Sequence, residues 1–425
     1  MRPRPRRADS AGAPRPRSRR RRAALALTAG AALLASSLTA LPSARAIQPA
    51  DLPAVGVDTG RFKLPIACTI NFAGALPVLW LPLDVDIQGV APVQLGPGQE
   101  FWLTQGSGSI TFPEWLTALA PILGIDKADA TISDMSIGAT HSTPDAVNLA
   151  KDPISIKDIP IVAGKPLKVG LPAAGQKAFD VGPYTAPQSG KVTLGFNSAF
   201  AKVDLKSSWG FSLPITADCK PRGGNALLTI AVGGASGQAP AKIQGAPLNF
   251  GEPKSGELTG IINAPYQCVW NGQTYGAGIA VGADGIPLTV SKSGSFSFTN
   301  ASGALTVPKE TVNKLLDQGV TTISGKVTNL TLDVEGGTPQ SLNVIPSAGI
   351  DIPKTTLTRD QQIVVPLPQD GTLTAGPFKP TSGASSVQVS LGGATASLSF
   401  DGGAATTATC GKPSPTVYLV DNPVT

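Results

Sequence analysis

Short runs of alternating apolar and polar residues, split by glycine and proline, fill most of this chain from residue 47 onward. Val192-Thr193-Leu194-Gly195-Phe196 and Val387-Gln388-Val389-Ser390-Leu391 alternate with period two, the pattern of half-buried strands. Leu167-Lys168-Val169-Gly170-Leu171-Pro172 and Ile363-Val364-Val365-Pro366-Leu367-Pro368 read the same way, and 48 Gly with 39 Pro supply the turns between such runs. Helical spacing occurs in two places. Between Pro113 and Gly124, the residues Trp115, Leu116, Leu119, Ile122 and Leu123 share a face; between Pro308 and Gly319, Val312, Leu315 and Leu316 do. The prolines are placed at the first helical position and the glycines at left-handed C-terminal caps. Each segment is predicted to be a helix of about three turns that lays its apolar face on a sheet. Pro121, without a counterpart, is predicted to fray the first one.

These matching elements belong to a longer repeat. Gly108–Asn148 aligns with Gly303–Asn343 at a constant shift of 195 without a gap: Gly108, Thr111, Pro113, Gly124, Thr143, Pro144 and Asn148 meet Gly303, Thr306, Pro308, Gly319, Thr338, Pro339 and Asn343. The shift drifts to 196 for the Leu167 and Ile363 runs and to 194 for Gly182-Pro183-Tyr184 against Gly376-Pro377-Phe378, as insertions in loops would cause. A fixed-period match of this length means two copies of one unit, each too long for a solenoid repeat. The fold class predicted is all-β: two tandem β-sandwich, Ig-like domains over residues 47–222 and 261–425, each with one short helix. Residues 223–260 join them, with Leu227-Leu228-Thr229-Ile230-Ala231-Val232 as a strand between flexible flanks.

The first 46 residues stand apart. Arg2 to Arg22 hold ten Arg and one acid, an apolar run follows to about Leu41, and Ala44-Arg45-Ala46 supplies a small-x-small cleavage site. This is the order of a secretory signal peptide. The basic balance belongs to this segment. Removing its eleven Arg and one Asp from 34 basic and 28 acidic residues leaves 23 against 27, a net charge of about −4. A nucleic-acid partner, which needs clustered Lys and Arg, is thereby disfavoured. No later apolar run approaches membrane length, so the expectation is a secreted chain, extracellular or loosely associated with the cell envelope, without an integral membrane segment after cleavage.

Four cysteines follow the repeat: Cys68 and Cys219 near the ends of the first unit, Cys268 and Cys410 near the ends of the second. Of the three possible pairings, repeat symmetry favours Cys68–Cys219 and Cys268–Cys410, each joining first and last strands of its own unit. No pair has zinc-ligand spacing and His141 is the sole histidine, so no metal or other cofactor is expected.

A catalytic set is not evident. His141 sits in turn-like Thr140-His141-Ser142-Thr143-Pro144 and is replaced by Gly336 in the second copy; general-base and triad chemistry usually needs a histidine. Asp84 and Asp86 share a strand face about 7 Å apart, which suits inverting glycoside hydrolysis, although a solvated strand face is the plainer reading. Asn148 and Asn343, like Asp134 and Asn329, recur between copies, and repeated Asn more often satisfies loop backbone than binds ligand. Trp80 and Trp102 have no aromatic counterpart in the second copy and are the best binding candidates; for Trp in general, core packing is the favoured reading.

Tyr266-Gln267-Cys268, Thr306-Val307-Pro308, Gly376-Pro377-Phe378 and Thr409-Cys410-Gly411-Lys412-Pro413 together make the second copy resemble an uncharacterised domain family of secreted proteins from Streptomyces and related actinobacteria, often found in tandem. Residues 261–413 match well, and 57–221 as a divergent copy with Ala67-Cys68 for the Tyr-x-Cys start. The resemblance implies an exported all-β domain and carries no established activity. Three functions follow as expectations. The first is a non-catalytic binding or structural protein of the envelope, with a cell-wall polymer or extracellular protein as partner. The others are a glycan-directed hydrolase using carboxylates of the first repeat, and a carrier for a hydrophobic ligand held between sheet and helix.

Overall fold

A computed structural model describes residues 47–72, 75–233 and 243–425 except 244, 246, 247 and 249; the predicted signal peptide and much of the stretch between the repeats lie outside the described residues. The chain is almost entirely β, and its long strands follow from the alternating sequence. Val192, Leu194 and Phe196 are buried within the strand Gly190–Ser207, and Val387, Val389 and Leu391 within Ser386–Phe400, with their neighbours on the opposite face.

In the first half, hydrogen-bonded neighbours run in the order Leu167–Leu171, Glu100–Phe112, Ala75–Pro92, Val57–Phe72, Ser212–Pro221, Gly190–Ser207, Ile125–Ala139, Ile154–Pro160. The second half repeats it: Ile363–Leu367, Phe296–Val307, Gln273–Pro287, Glu257–Trp270, Thr406–Cys410, Ser386–Phe400, Thr322–Glu335, Ile350–Thr356. In each half the two outermost strands are consecutive in the chain, so the array rolls over on itself around an apolar interior. Ala226–Val232 pairs with Gly190–Gly195, as Tyr418–Pro423 pairs with Ser386–Ser390; one further strand thus follows each second cysteine.

The halves share a sheet. Val57–Lys63 pairs antiparallel with Glu257–Asn263, and Gly60 faces Gly260. Cys68 and Cys268 set an equivalence of 200 between these strands, so Gly60 faces its own counterpart and a local two-fold axis passes through that pair. The contact has the self-complementary form of a symmetric dimer interface, made within one chain. It also puts the two interiors on the same face of one continuous strand pair.

Both disulfides pair as repeat symmetry predicts, Cys68 with Cys219 and Cys268 with Cys410. Each joins directly opposed residues on neighbouring antiparallel strands, with Cα atoms 4.0 and 3.8 Å apart. The repeated asparagines satisfy loop backbone. Asn148 Oδ1 accepts from the amides of Met135 and Ala150 at 2.9 and 2.8 Å, and Asn343 Oδ1 from those of Leu330 and Ile345 at 3.1 and 3.0 Å.

The repeated glycine at 108 and 303 has a packing reason. Gly108 lies between Ile87 and Leu171 in the middle of three strands, and a Cβ there would stand 2.6 Å from the Asp86 carbonyl oxygen. At Gly303 the same atom would stand 2.6 Å from the Ala280 carbonyl. Neither backbone can retreat without shifting a strand. Gly108→Ala and Gly303→Ala are each expected to cost about 1–3 kcal/mol, the usual range for overpacking, read as a lower denaturant midpoint at unchanged slope.

The helices correct the expectation in two respects. Pro113 and Pro308 have extended ψ angles of 154° and 152° and precede the helices as caps instead of opening them. Lys309–Asp317 is a continuous helix that buries Val312 and Leu315. Its counterpart is one turn, Glu114–Thr117, followed by a 3₁₀ turn, Ala120–Leu123, that ends at left-handed Gly124. Pro121 lacks the amide that would continue the first turn. Most of the predicted core face is not in the core: Trp115, Leu119, Ile122 and Leu123 are exposed, and Leu116 alone of the five packs against it.

Candidate functional site

All eight strands of the first-half array line a cavity of about 450 Å³ with almost wholly apolar walls. Along Val57–Phe72 the lining runs from Asp58 through Phe62, Ile66, Cys68 and Ile70 to Phe72, a length of roughly 45 Å at the rise of an extended strand. The second half encloses only about 140 Å³. The equivalent positions explain the difference. Trp270 stacks on Phe400 at 4.0 Å and lies 5.9 Å from Tyr275, and its indole N–H donates to Thr406 at 2.6 Å, so three aromatics fill that interior at the end away from the two-fold. By the strand registers, the first half has Ile70, Leu205 and Leu81 in their places. Phe72 and Phe112, which stand where the second half has Gly272 and Val307, offset the loss of three rings only in part, and the β framework is too well braced to collapse onto the volume left.

The same end carries an inverted helix face. At the shift of 195, the exposed Glu310, Lys314, Asp317 and Gln318 correspond to Trp115, Leu119, Ile122 and Leu123, while the buried Val312 and Leu315 correspond to Thr117 and Ala120. The first helix therefore turns the small Thr117 and Ala120 inward beside Leu116, and leaves its other large apolar residues outward. Leu119 and Leu123 line the cavity and are still 49% and 45% exposed, so the cavity opens beside this helix. Two further elements meet there. Trp209 packs against Gly124, whose Cβ would stand 2.7 Å from the indole, and brings Phe211 with it at 6.2 Å between rings. Thr117 Oγ1 donates to the Lys165 carbonyl at 2.8 Å and ties down the turn that exposes Val162. The mouth thus has an apolar rim, the feature that normally marks a binding surface.

At the far end, two residues from the two-fold, stands one ionisable group among the described lining residues. Asp58 shares the interior face with Gly60 and Phe62, is 8% exposed, and lines both cavities. Its cross-strand neighbours are Ala91 and Ile262, and no described residue gives its carboxyl a hydrogen bond or an ion pair. Burial alone pushes the carboxyl up to about 7, since nothing nearby repays the lost hydration of the anion. Its counterpart across the two-fold is Leu258. Sequence reading missed this residue, because Val57-Asp58-Thr59-Gly60 looks like a turn; the signal was the charged residue opposite a leucine in the aligned copies.

The outer surface holds ordinary ion pairs. Asp129 is pulled down to about 2 by its hydrogen bond from Lys206 at 2.8 Å and by the Asp158 amide. Asp86 accepts from Ser109 at 3.0 Å and faces Lys168 and Lys63 at 3.4 and 3.7 Å; Asp84 accepts from Ser255 at 2.5 Å. Both acids lie outside the cavity on a lysine-bearing face. His141 is exposed in a left-handed turn, φ 65°. Trp80 is exposed under the Arg222 guanidinium, 5.3 Å from its ring, while Trp102 is half-buried against Gly182. Trp102 lies level with Pro92, twelve residues along the strand from Trp80 and so about 40 Å away, and the two do not form one site. The core reading fails for Trp80, Trp115 and Trp209, all half or more exposed; scarcity of aromatics says nothing about which strand or helix face carries them.

Among the described residues no helix is long and apolar enough to cross a membrane. No family model matches the chain, and no curated protein matches it. Among solved structures, the protein called pT26-6p is similar over 86% of this chain, at 9% identity and a TM-score of 0.20. The chain spans 66% of that protein's length, and a likeness of this degree carries no argument about fold or function.

Proposed function

We propose that this chain is an exported, non-catalytic carrier that holds one elongated apolar molecule inside its first repeat. The observation that carries the reading is the cavity. At about 450 Å³ it falls within the usual ~300–1,000 Å³ of small-molecule sites, and its walls are almost entirely hydrocarbon. The few polar residues that line it, Asp58, Gln88, Ser107, Ser109 and Thr117, do not make a nucleophile-base pair: Ser109 turns its hydroxyl to Asp86 on the outer face, and Thr117 donates to backbone carbonyls. In this reading the two repeats are tandem sandwich domains of Ig-like type, each closed by its own disulfide, and the second keeps a filled core and a structural role. The N-terminal targeting pattern and the two disulfides support an extracellular address, where such bonds persist. Membership of the actinobacterial family that the second copy resembles would agree with that address without supplying a ligand.

The test is uptake of diphenylhexatriene, a rod-shaped hydrocarbon that fluoresces on leaving water, together with mass spectrometry of an organic extract of the purified protein. Saturable uptake of one dye per chain is expected. Ala201→Phe, which puts a ring into the cavity, is expected to remove most of it while the thermal midpoint stays near that of the parent. A protein that takes up no dye and yields no apolar molecule on extraction is not a carrier.

A further inference from the structure

The cavity walls are almost wholly apolar, and at the inner end stands a carboxyl without a hydrogen-bond or ion-pair partner among the described residues. A buried carboxyl that accepts no hydrogen bond is costly, and the equivalent position already shows the cheaper solution, Leu258. Asp58 is also placed where a long ligand would end. It lies beside the two-fold at the opposite extreme of the lining from Leu119 and Leu123 at the mouth, separated from them by Phe62, Ile66, Cys68 and Ile70. Among the described residues none bonds to its oxygens. Ala91 and Ile262 flank it across the sheet, Phe62 lies beside it along its own strand, and Leu227 and Leu228 line the same region.

We infer that Asp58 receives the polar end of the ligand, and that the cargo is a linear amphiphile with an apolar body and a terminal hydrogen-bond donor, a primary amine above all. This rests on the carrier reading and specifies the ligand of the same site. An ammonium group supplies both things that Asp58 lacks, an opposite charge and N–H donors, and forms a charge-assisted hydrogen bond among apolar walls. A hydroxyl supplies one donor without the charge. A carboxylate would set a second anion beside the first and is disfavoured.

The inference is tested by displacement of bound diphenylhexatriene at pH 7.5 by dodecylamine, dodecanol and dodecanoate, each below its micelle concentration. The parent protein is compared with Asp58→Leu, which copies the residue the second repeat uses. In the parent, dodecylamine is expected to compete at least about tenfold more strongly than dodecanoate, the effect of roughly one charge-assisted hydrogen bond, with dodecanol between them. In Asp58→Leu, compared with the parent at equal dye occupancy, the amine's advantage over dodecanoate is expected to vanish. Dodecanoate competing as well as dodecylamine, or an amine preference that survives in Asp58→Leu, would overturn the inference and leave the carrier reading standing. Failure of the parent to bind the dye, with no apolar molecule in its extract, overturns both.

Discussion

Replacing Cys68 and Cys219 together by alanine is expected to remove up to ~5 kcal/mol of stability, and replacing Cys268 and Cys410 nearly the same amount. The bridges close loops of 151 and 142 residues. In the chain-entropy account the benefit grows only with the logarithm of that length, so two such similar loops should differ by a few hundredths of a kcal/mol. All four sulfur-bearing side chains pack among core residues, so alanine also forfeits some apolar contact on both sides. The measurement is guanidinium unfolding of the parent and the two double variants, followed by tryptophan fluorescence and by far-ultraviolet circular dichroism. Because Val57–Lys63 and Glu257–Asn263 pair directly, neither half can unravel its first strand without exposing the other's edge. Breaking either bridge is therefore expected to move one shared transition. Two resolved transitions, or a loss confined to one bridge, would mean that the halves fold independently and that the shared sheet couples them weakly.

The legibility of this chain divides along the same line as its symmetry. What both copies say, the sequence says clearly: the alternating strands around Val192 and Val387, the bridges, and the loop-satisfying Asn148 and Asn343 are each visible twice, and one copy corroborates the other. What only one copy says is what reading for pattern hides. Trp115, Leu119, Ile122 and Leu123 have helical spacing, and spacing defines a face without saying whether that face turns inward or outward. Their counterparts Glu310, Lys314, Asp317 and Gln318 gave the answer, since the two helices occupy the same place and the charged positions must face water. The cavity is hidden for a related reason. Ile70, Leu205 and Leu81 are unremarkable strand residues until they are set against Trp270, Phe400 and Tyr275, whose rings fill the same space. The differences between repeats, more than the repeat itself, locate the candidate site. Trp80 and Trp102 were singled out by that same logic, but single substitutions far apart on one sheet do not build a pocket, whereas the three missing rings all fall at one end of one interior.

Asp58→Leu is expected to stabilise the protein strongly above neutrality and only modestly in acid. The group's ordinary value is 3.8 and burial raises it to about 7 in the folded state. A raised carboxyl binds its proton more tightly folded than unfolded, so between those two values folding takes up a proton. The parent should lose stability as pH rises from about 4, and the loss should level off above about 7. At 1.36 kcal/mol for each pH unit, the full penalty is on the order of 4 kcal/mol, less whatever the water in the cavity returns by hydrating the anion. Asp129 and Asp401, held low by hydrogen bonds, and Asp284, raised by burial, also titrate differently in the folded chain, but they are common to parent and variant and drop out of the difference. The quantity to measure is thus the gap between the two unfolding free energies at pH 4.5 and at pH 8. A gap that widens toward pH 8 means that the parent carries an unsolvated carboxylate into its interior and has kept it at a cost. A gap of the same size at both values means that cavity water already solvates Asp58, in which case the group is not waiting for a donor and the preference for an amine loses its physical ground.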